Sequence, residues 1–204
     1  MIMDMLKIYF DYFMFLVRQQ MEGASVTVFL MTCAIAVIAF LLLFFLIEKF
    51  TGKKISSNKK RAIILMAVYA CFIFQIAFYR RFGLEKSVIH TRIYFGFKKY
   101  DGTMDEKQVV YSFLNVIFFI PWGVLIASAM NNNFRRVIMT VVYSFLTSLL
   151  IEVMQYVTMT GATEVTDLVT NVTGGFIGCL LFMIADQLYE KVKGLRKNEH
   201  EETI

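Results

Sequence analysis

The sequence predicts an all-α membrane protein: a polytopic transmembrane helical bundle with about five spanning helices and an N-terminal interfacial helix. Hydrophobic residues make up 58% of the 204 positions and charged residues only 18%, whereas soluble domains carry about a quarter charged residues. The mean hydropathy is +0.61. Runs of roughly 20 apolar residues recur along the chain, which is the length that crosses a bilayer.

Residues 1–25 are predicted to form an interfacial amphipathic segment. Their apolar run between Lys7 and Arg18 is only about ten residues long and is too short to span a bilayer. Its aromatic residues are typical of anchors at the membrane surface. A tilted or re-entrant segment is the alternative.

The transmembrane domain is predicted over residues 26–189, followed by a polar cytoplasmic tail at residues 190–204. Basic or mixed-charge loops separate its apolar runs, and residues 80–108 form the longest polar loop. The five predicted spans are Val26–Ile47, Ala62–Tyr79, Val110–Met130, Val137–Met159 and Asp167–Tyr189.

The distribution of basic residues predicts the orientation. Loops 49–61 and 131–136 and the tail from Lys191 are rich in Lys and Arg, whereas the 160–166 turn has none. Since cytoplasmic loops carry the excess of basic residues, the C-terminus is expected in the cytoplasm and the 160–166 turn outside. Loop 80–108, with seven basic and four acidic residues, runs against this trend.

The formal net charge of +5 does not indicate nucleic-acid binding, because the basic residues flank the apolar runs as in other membrane proteins. The three cysteines lie within predicted spans and lack metal-ligand spacing, so they are interpreted as small core residues. No metal, no cofactor and no cleavable signal peptide is expected.

Polar residues interrupt the apolar helices at similar depth. Glu152 and Gln155 share one helix face, and Glu152 lies about 22 Å from the inner end at a rise of about 1.5 Å per residue. A carboxylate in hydrocarbon is costly and usually marks function, although such pairs also fix helix packing, and Asp167 also suits a helix start. The residues expected together near the outer leaflet, as a candidate ligand site, are Arg80, Asn115, Glu152, Gln155, Asp167 and Asn171.

Small residues form a stripe on the last span. Asn171, Gly174, Gly175 and Gly178 follow one another at helical spacing, which is typical of a close helix–helix contact. In the third span, Pro121 removes a backbone donor and is expected to kink the helix.

These residues resemble the VanZ-like family over roughly residues 62–188. Asn115 to Gly123 is similar to the family element N-x-x-x-F-x-P-x-G, Glu152 to Gln155 to E-x-x-Q, and Asp167 to Gly174 to D-x-x-x-N-x-x-G. The resemblance includes the residues interpreted as structural, namely Pro121, Gly123, Gly174, Gly175 and Gly178.

The chain departs from the family pattern beside the acidic residues. Family members usually carry an Arg about nine residues after the Glu, where this chain has Gly161, and two further family acids correspond to Glu164 and Thr166. A charge pair on the outer face is therefore absent or supplied by Arg80 or Arg81.

The resemblance implies a multi-pass protein of the bacterial cell membrane, linked to resistance to teicoplanin-type glycopeptides, and implies no reaction. The first hypothesis is a non-enzymatic envelope protein whose polar pocket binds or repositions a lipid-linked cell-wall precursor or a lipoglycopeptide antibiotic. Membrane lipids and a second copy in a homo-oligomer are further expected partners.

An intramembrane enzyme with Glu152 and Asp167 as acid and base is the alternative hypothesis. The sequence disfavours it, because it offers no nucleophile paired with a base and no histidine within a span. Transport is weaker still, since no internal repeat is evident.

Overall fold

The computed structural model describes residues 2–77, 86–97 and 104–202. The prediction of an all-helical bundle is confirmed, and a two-stranded sheet that was not predicted is added to it. In chain order the described elements are α1 (Ile2–Met21), α2 (Val26–Thr51), α3 (Ser57–Ala77), β1 (Lys86–His90), α4 (Glu106–Ser128), α5 (Asn133–Val157), β2 (Thr160–Glu164) and α6 (Val165–Glu202).

Within the described residues, five helices are long and apolar enough to cross a membrane, and α1 is not one of them. The chain is therefore a multi-pass membrane protein with the predicted number of spans. The helix that contains the last span does not end with the apolar run, because α6 continues beyond Tyr189 to Glu202. The candidate spans are Val26–Thr51, Lys59–Ala77, Glu106–Ser128, Asn133–Val157 and Val165–Gly194.

Short polar residues begin the helices. The Ser25 hydroxyl caps α2 by accepting the Val28 N–H, the Asp105 carboxylate caps α4 by accepting the Gln108 N–H, and the Asn132 side chain caps α5. Gly52 ends α2 with φ 67°, a left-handed conformation that glycine adopts without steric cost. These local signals set the helix boundaries before any tertiary contact forms.

The centre of the bundle is the contact of α4 with α6, the most extensive interface between helices. A Cβ atom on Gly174 would lie 2.2 Å from the carbonyl oxygen of Val116, and one on Gly178 would lie 2.1 Å from that of Ile120. On the other side of the contact, a Cβ on Gly123 would lie 2.0 Å from the Gly175 carbonyl oxygen. The two backbones therefore touch directly, which larger residues would prevent.

Helix α5 packs against α6 through a buried polar stripe. Gly175 faces the Ser144 hydroxyl, which a Cβ would meet at 2.1 Å. Because residues four apart share a helix face, this polar stripe continues along α5 to Glu152. Its buried members are Thr140, Ser144, Ser148, Glu152 and Gln155.

Pro121 lies inside α4, which continues through it from Glu106 to Ser128. Proline lacks the N–H that would bond the carbonyl four residues earlier. In the same part of the helix, the Tyr69 hydroxyl donates to the Phe118 carbonyl at 2.5 Å, and the Tyr69 ring stacks on Trp122 at 6.4 Å. Helix α3 is thereby attached to α4 beside the proline.

The two strands form a parallel pair, with Lys86 opposite Thr160 and His90 opposite Glu164. The sequence analysis interpreted both segments as loops. Helices α4 and α5 lie between the strands in the chain and act as the crossover that a parallel pair requires. After β1, the Gly96 carbonyl accepts the Asp105 N–H at 2.7 Å, which ties this segment to the start of α4. The strand pair therefore covers one end of the bundle.

The first two helices lie at the periphery. Helix α2 contacts mainly α3, and most of its large apolar side chains are exposed, as expected of a lipid-facing span. The second half of α1 packs on the start of α4, where Leu16 is 2% exposed and the Phe13 and Phe113 rings lie edge to face at 6.5 Å. Whether α1 lies at the membrane surface remains a prediction.

Candidate functional site

A cavity of about 380 Å³ lies at the end of the bundle that the strand pair covers. Helices α1, α3, α4, α5 and α6 and strand β2 all contribute to its wall. Each element is positioned by contacts described above: α4 against α6 by the glycines, and β2 by its pairing with β1. The cavity is therefore a product of the whole bundle rather than of one motif.

Five of the six residues predicted for a ligand site line this one cavity. The sixth, Arg80, lies outside the described residues. The five residues come from three helices, α4, α5 and α6. They are Asn115, Glu152, Gln155, Asp167 and Asn171.

Glu152 is 4% exposed and is hydrogen-bonded to strand β2, which follows its own helix in the chain. Its Oε2 atom accepts the backbone N–H of Glu164 at 2.9 Å, and its carbonyl accepts the Thr163 hydroxyl at 3.1 Å. A backbone N–H is a strong hydrogen-bond donor to a carboxylate. Glu152 thus holds β2 against α5 at the cavity wall.

Gln155 lies one helical turn further toward the strand end. Its Nε2 donates to the Ala77 carbonyl at 3.3 Å, at the end of α3. Its Oε1 is buried and has no protein partner among the described residues. A buried acceptor without a donor is costly, so a ligand hydroxyl or amide, or a water molecule, would relieve that cost.

Asn171 and Asp167 present the first turns of α6 to the cavity. The Asn171 amide donates to the Ser148 hydroxyl at 2.9 Å and links α6 to the polar stripe of α5. Asp167 lies in the first turn of α6, where the helix dipole favours a carboxylate. Asn171 therefore serves both the helix packing and the cavity wall, and Asp167 adds a carboxylate to that wall.

The cavity wall contains both polar and apolar side chains. In α4 the polar Gln108 comes first and the aromatic Phe118 and Phe119 follow more than two turns later. Helix α3 contributes only apolar side chains, including that of Ala77. The apolar part of the wall is formed by Phe72, Ile73, Ile76, Leu114, Phe118, Phe119 and Ile151.

Five further polar residues that were not predicted for the site also line the cavity: Gln19, Gln108, Tyr111, Thr160 and Glu164. The Gln108 Nε2 donates to Glu164 Oε2 at 3.2 Å, and the Tyr111 hydroxyl donates to Gln19 Oε1 at 3.5 Å. Gln19 and Tyr111 belong to polar helix ends, where such residues are common. Glu164 was noted at the position of a family acid but was not assigned to the ligand site.

The described lining contains three carboxylates, those of Glu152, Glu164 and Asp167, and no Lys or Arg. These acids do not form a metal site, since no group of three His, Cys, Asp or Glu side chains among the described residues could hold a metal ion. The wall offers mainly hydrogen-bond acceptors and amides. Such a surface binds hydroxyl, amide or ammonium donors.

At the opposite end of the bundle the structure contains an ion pair. Arg136 Nη1 on α5 lies 2.7 Å from Asp186 Oδ2 on α6, and the guanidinium stacks over the Phe182 ring at 5.0 Å. Its Nε also donates to the Met130 carbonyl at 3.0 Å. We interpret this pair as a packing contact between α5 and α6.

The chain is similar to known proteins over most of its length. A sequence model of the VanZ/LLP1 family matches residues 33–186, which contain every cavity-lining residue except Gln19. "Protein VanZ" of Enterococcus faecium is 37% identical over 75 residues, which are 36% of this chain and 44% of that protein. The alignment thus spans less than half of that relative's length. No solved structure gives a significant match.

Proposed function

Because the chain belongs to the VanZ/LLP1 family, we propose that it contributes to resistance to teicoplanin-type glycopeptides at the bacterial cell membrane. In this proposal the protein binds or repositions a lipid-linked cell-wall precursor or a lipid-anchored antibiotic. The binding site is the cavity formed by α3, α4, α5, α6 and β2. The C-terminus lies in the cytoplasm and the strand pair lies outside, near the outer leaflet.

The observation that carries the proposal is the division of the cavity wall into a polar and an apolar part. Within a membrane, an amphiphile places its chain among apolar side chains and its headgroup at the polar end. The apolar wall beside Phe72 and Phe118 suits a hydrocarbon chain, and the polar wall beside Glu152 and Asp167 suits a headgroup. A small water-soluble ligand would not need the apolar part.

Hydrogen bonding supports a headgroup rich in donors. Gln155 presents a buried oxygen without a protein partner, and carboxylates accept strong hydrogen bonds from sugar hydroxyls and amides. Sugars and short peptides, which make up wall precursors and glycopeptides, carry many such donors. Binding of such a donor therefore satisfies the buried Gln155 oxygen.

The test is mass spectrometry of amphiphiles that remain bound to the detergent-purified full-length protein. The wild type is expected to retain one amphiphile per chain, and Glu152→Gln combined with Asp167→Asn is expected to lose it. Both substitutions keep side-chain size and remove charge. Glu190→Gln is the matched control, because Glu190 is an exposed residue of α6 away from the cavity.

The same variants are compared for teicoplanin susceptibility in a host that expresses them at equal levels. The double variant is expected to lose the resistance conferred by the wild type, and Glu190→Gln to keep it. If the double variant kept both the bound amphiphile and the resistance, the cavity would not be the binding site. Release of a chemically altered amphiphile would instead favour the enzymatic alternative.

A further inference from the structure

A second cavity, of about 430 Å³, lies next to the first, on the side of the strand pair. Two residues, Gln108 and Glu164, line both cavities. The hydrogen bond of 3.2 Å between their side chains therefore forms part of the boundary between the two. The wall of this outer cavity consists of Ile89, His90, Thr91, Arg92, Tyr94, Gln108, Glu164 and Thr166.

The outer cavity is built by backbone contacts rather than by chance proximity of side chains. His90 pairs with Glu164 in the parallel sheet, and the Tyr94 N–H donates to the Thr166 hydroxyl at 2.9 Å. Thr166 is 1% exposed and lies in the first turn of α6. The segment that carries Arg92 is thus attached on both sides to the elements that form the inner cavity.

The two cavities differ in charge. The Glu164 carboxylate lines both cavities, and among the described residues that line either cavity Arg92 is the one Lys or Arg, in the outer cavity. Arg92 is exposed, and within the described part of the chain no carboxylate lies within ion-pair distance of it. A guanidinium binds phosphate and carboxylate through two parallel hydrogen bonds. The guanidinium of Arg92 therefore favours an anionic group in the outer cavity.

We propose that the outer cavity, with Arg92 as its cation, is the subsite for a phosphate or carboxylate of an amphiphile whose apolar chain lies in the inner cavity. This inference rests on the proposed function, since it assumes that the inner cavity holds the chain. Gln108 and Glu164 contact the ligand where it passes from one cavity to the other. Arg92 selects for anionic headgroups and is not required for holding the chain.

The test uses the full-length protein in detergent, stripped of lipid and offered phosphatidylglycerol and phosphatidylcholine with the same acyl chains. Native mass spectrometry measures the ratio of the two bound lipids. The wild type is expected to prefer phosphatidylglycerol by about tenfold, the factor that corresponds to about 1.4 kcal/mol. Arg92→Gln should abolish this preference without reducing phosphatidylcholine binding, and Arg92→Lys should restore part of it.

Arg135→Gln is the matched control, since Arg135 is an exposed arginine at the start of α5 and lines neither cavity. Inorganic phosphate is titrated in a second arm. Reduction of the preference by millimolar phosphate in the wild type alone would identify a phosphate site that free phosphate also occupies. No reduction would identify a site that requires the lipid-borne group.

The outcomes separate this inference from the proposed function. An equal preference in the wild type, Arg92→Gln and Arg135→Gln would overturn the Arg92 subsite, while binding of both lipids would leave the inner cavity intact. If Glu152→Gln lost both lipids and Arg92→Gln kept the wild-type preference, the Arg92 subsite would also be overturned. If the wild type bound neither lipid, both the inference and the function on which it rests would be wrong.

Discussion

The carboxylate of Glu152 on α5 accepts the backbone N–H of Glu164 on β2 at 2.9 Å. The two residues are only twelve apart in the chain, but a turn and a strand separate them. One buried acid in a membrane span therefore positions the strand that forms a wall of both cavities. Because Glu164 also bonds Gln108, the contact connects α5, β2 and α4.

Removing the acceptor at position 152 is expected to loosen β2. In Glu152→Leu the Glu164 N–H loses its partner, a change that costs about 1–3 kcal/mol for a buried group. Hydrogen exchange of the Glu164 amide should therefore be faster by about one to two orders of magnitude. Glu152→Gln retains an oxygen acceptor and should keep most of the protection. Equal exchange rates in the two variants would show that this hydrogen bond does not hold the strand.

The glycines of α6 are expected to tolerate no side chain at the contact with α4. In Gly178→Ala the new Cβ would lie 2.1 Å from the Ile120 carbonyl oxygen, and relieving such overpacking costs about 1–3 kcal/mol. A lower apparent melting temperature in detergent measures the effect. Gly194→Ala makes the same substitution on the same helix with nothing within 4 Å, so its stability should be equal or slightly higher. A similar loss in both variants would argue against backbone contact as the cause.

The ion pair at the opposite end of the bundle is expected to contribute modestly to stability. Arg136 and Asp186 lie 2.7 Å apart with side chains 13% and 37% exposed, so solvent screens part of their attraction. A double-mutant cycle with Arg136→Gln and Asp186→Asn should give a coupling energy of about 0.5–1 kcal/mol. The coupling should decrease in high salt. Strict additivity of the two substitutions would indicate that the pair makes no net contribution.

The predicted orientation can be tested through the strand pair. Since β1 pairs with β2, positions within and next to the two strands lie on the same side of the membrane. In a cysteine-free background, Thr91→Cys and Ala162→Cys should both react with an impermeant thiol reagent in intact cells, whereas Asn198→Cys should react only after lysis. Labelling of Asn198→Cys in intact cells, with protection of Thr91→Cys, would invert the topology.

Local sequence features sufficed to predict the class of fold and the number of spans. An apolar run of about 20 residues has one low-energy form in a bilayer, a helix that satisfies its own backbone. Capping residues such as Ser25 and Gly52 then set the ends within a few residues. The cost of a carboxylate in hydrocarbon likewise marked Glu152 without knowledge of its partners, and the small-residue stripe marked Gly174 and Gly178 as residues of a close contact.

The tertiary structure alone decided which segments meet. Residues 86–90 and 160–164 pair as parallel strands, although neither carries a pattern that sets it apart from a polar loop. Gln108 and Arg92 gain their positions from α4 and from the strand pair, and not from their neighbours in the chain. Apolar periodicity and capping act over a few residues and favour one local conformation. Contacts between segments about 70 residues apart depend on how α4, α5 and α6 pack on their glycines and small polar residues, which brings the two strands to the same end of the bundle.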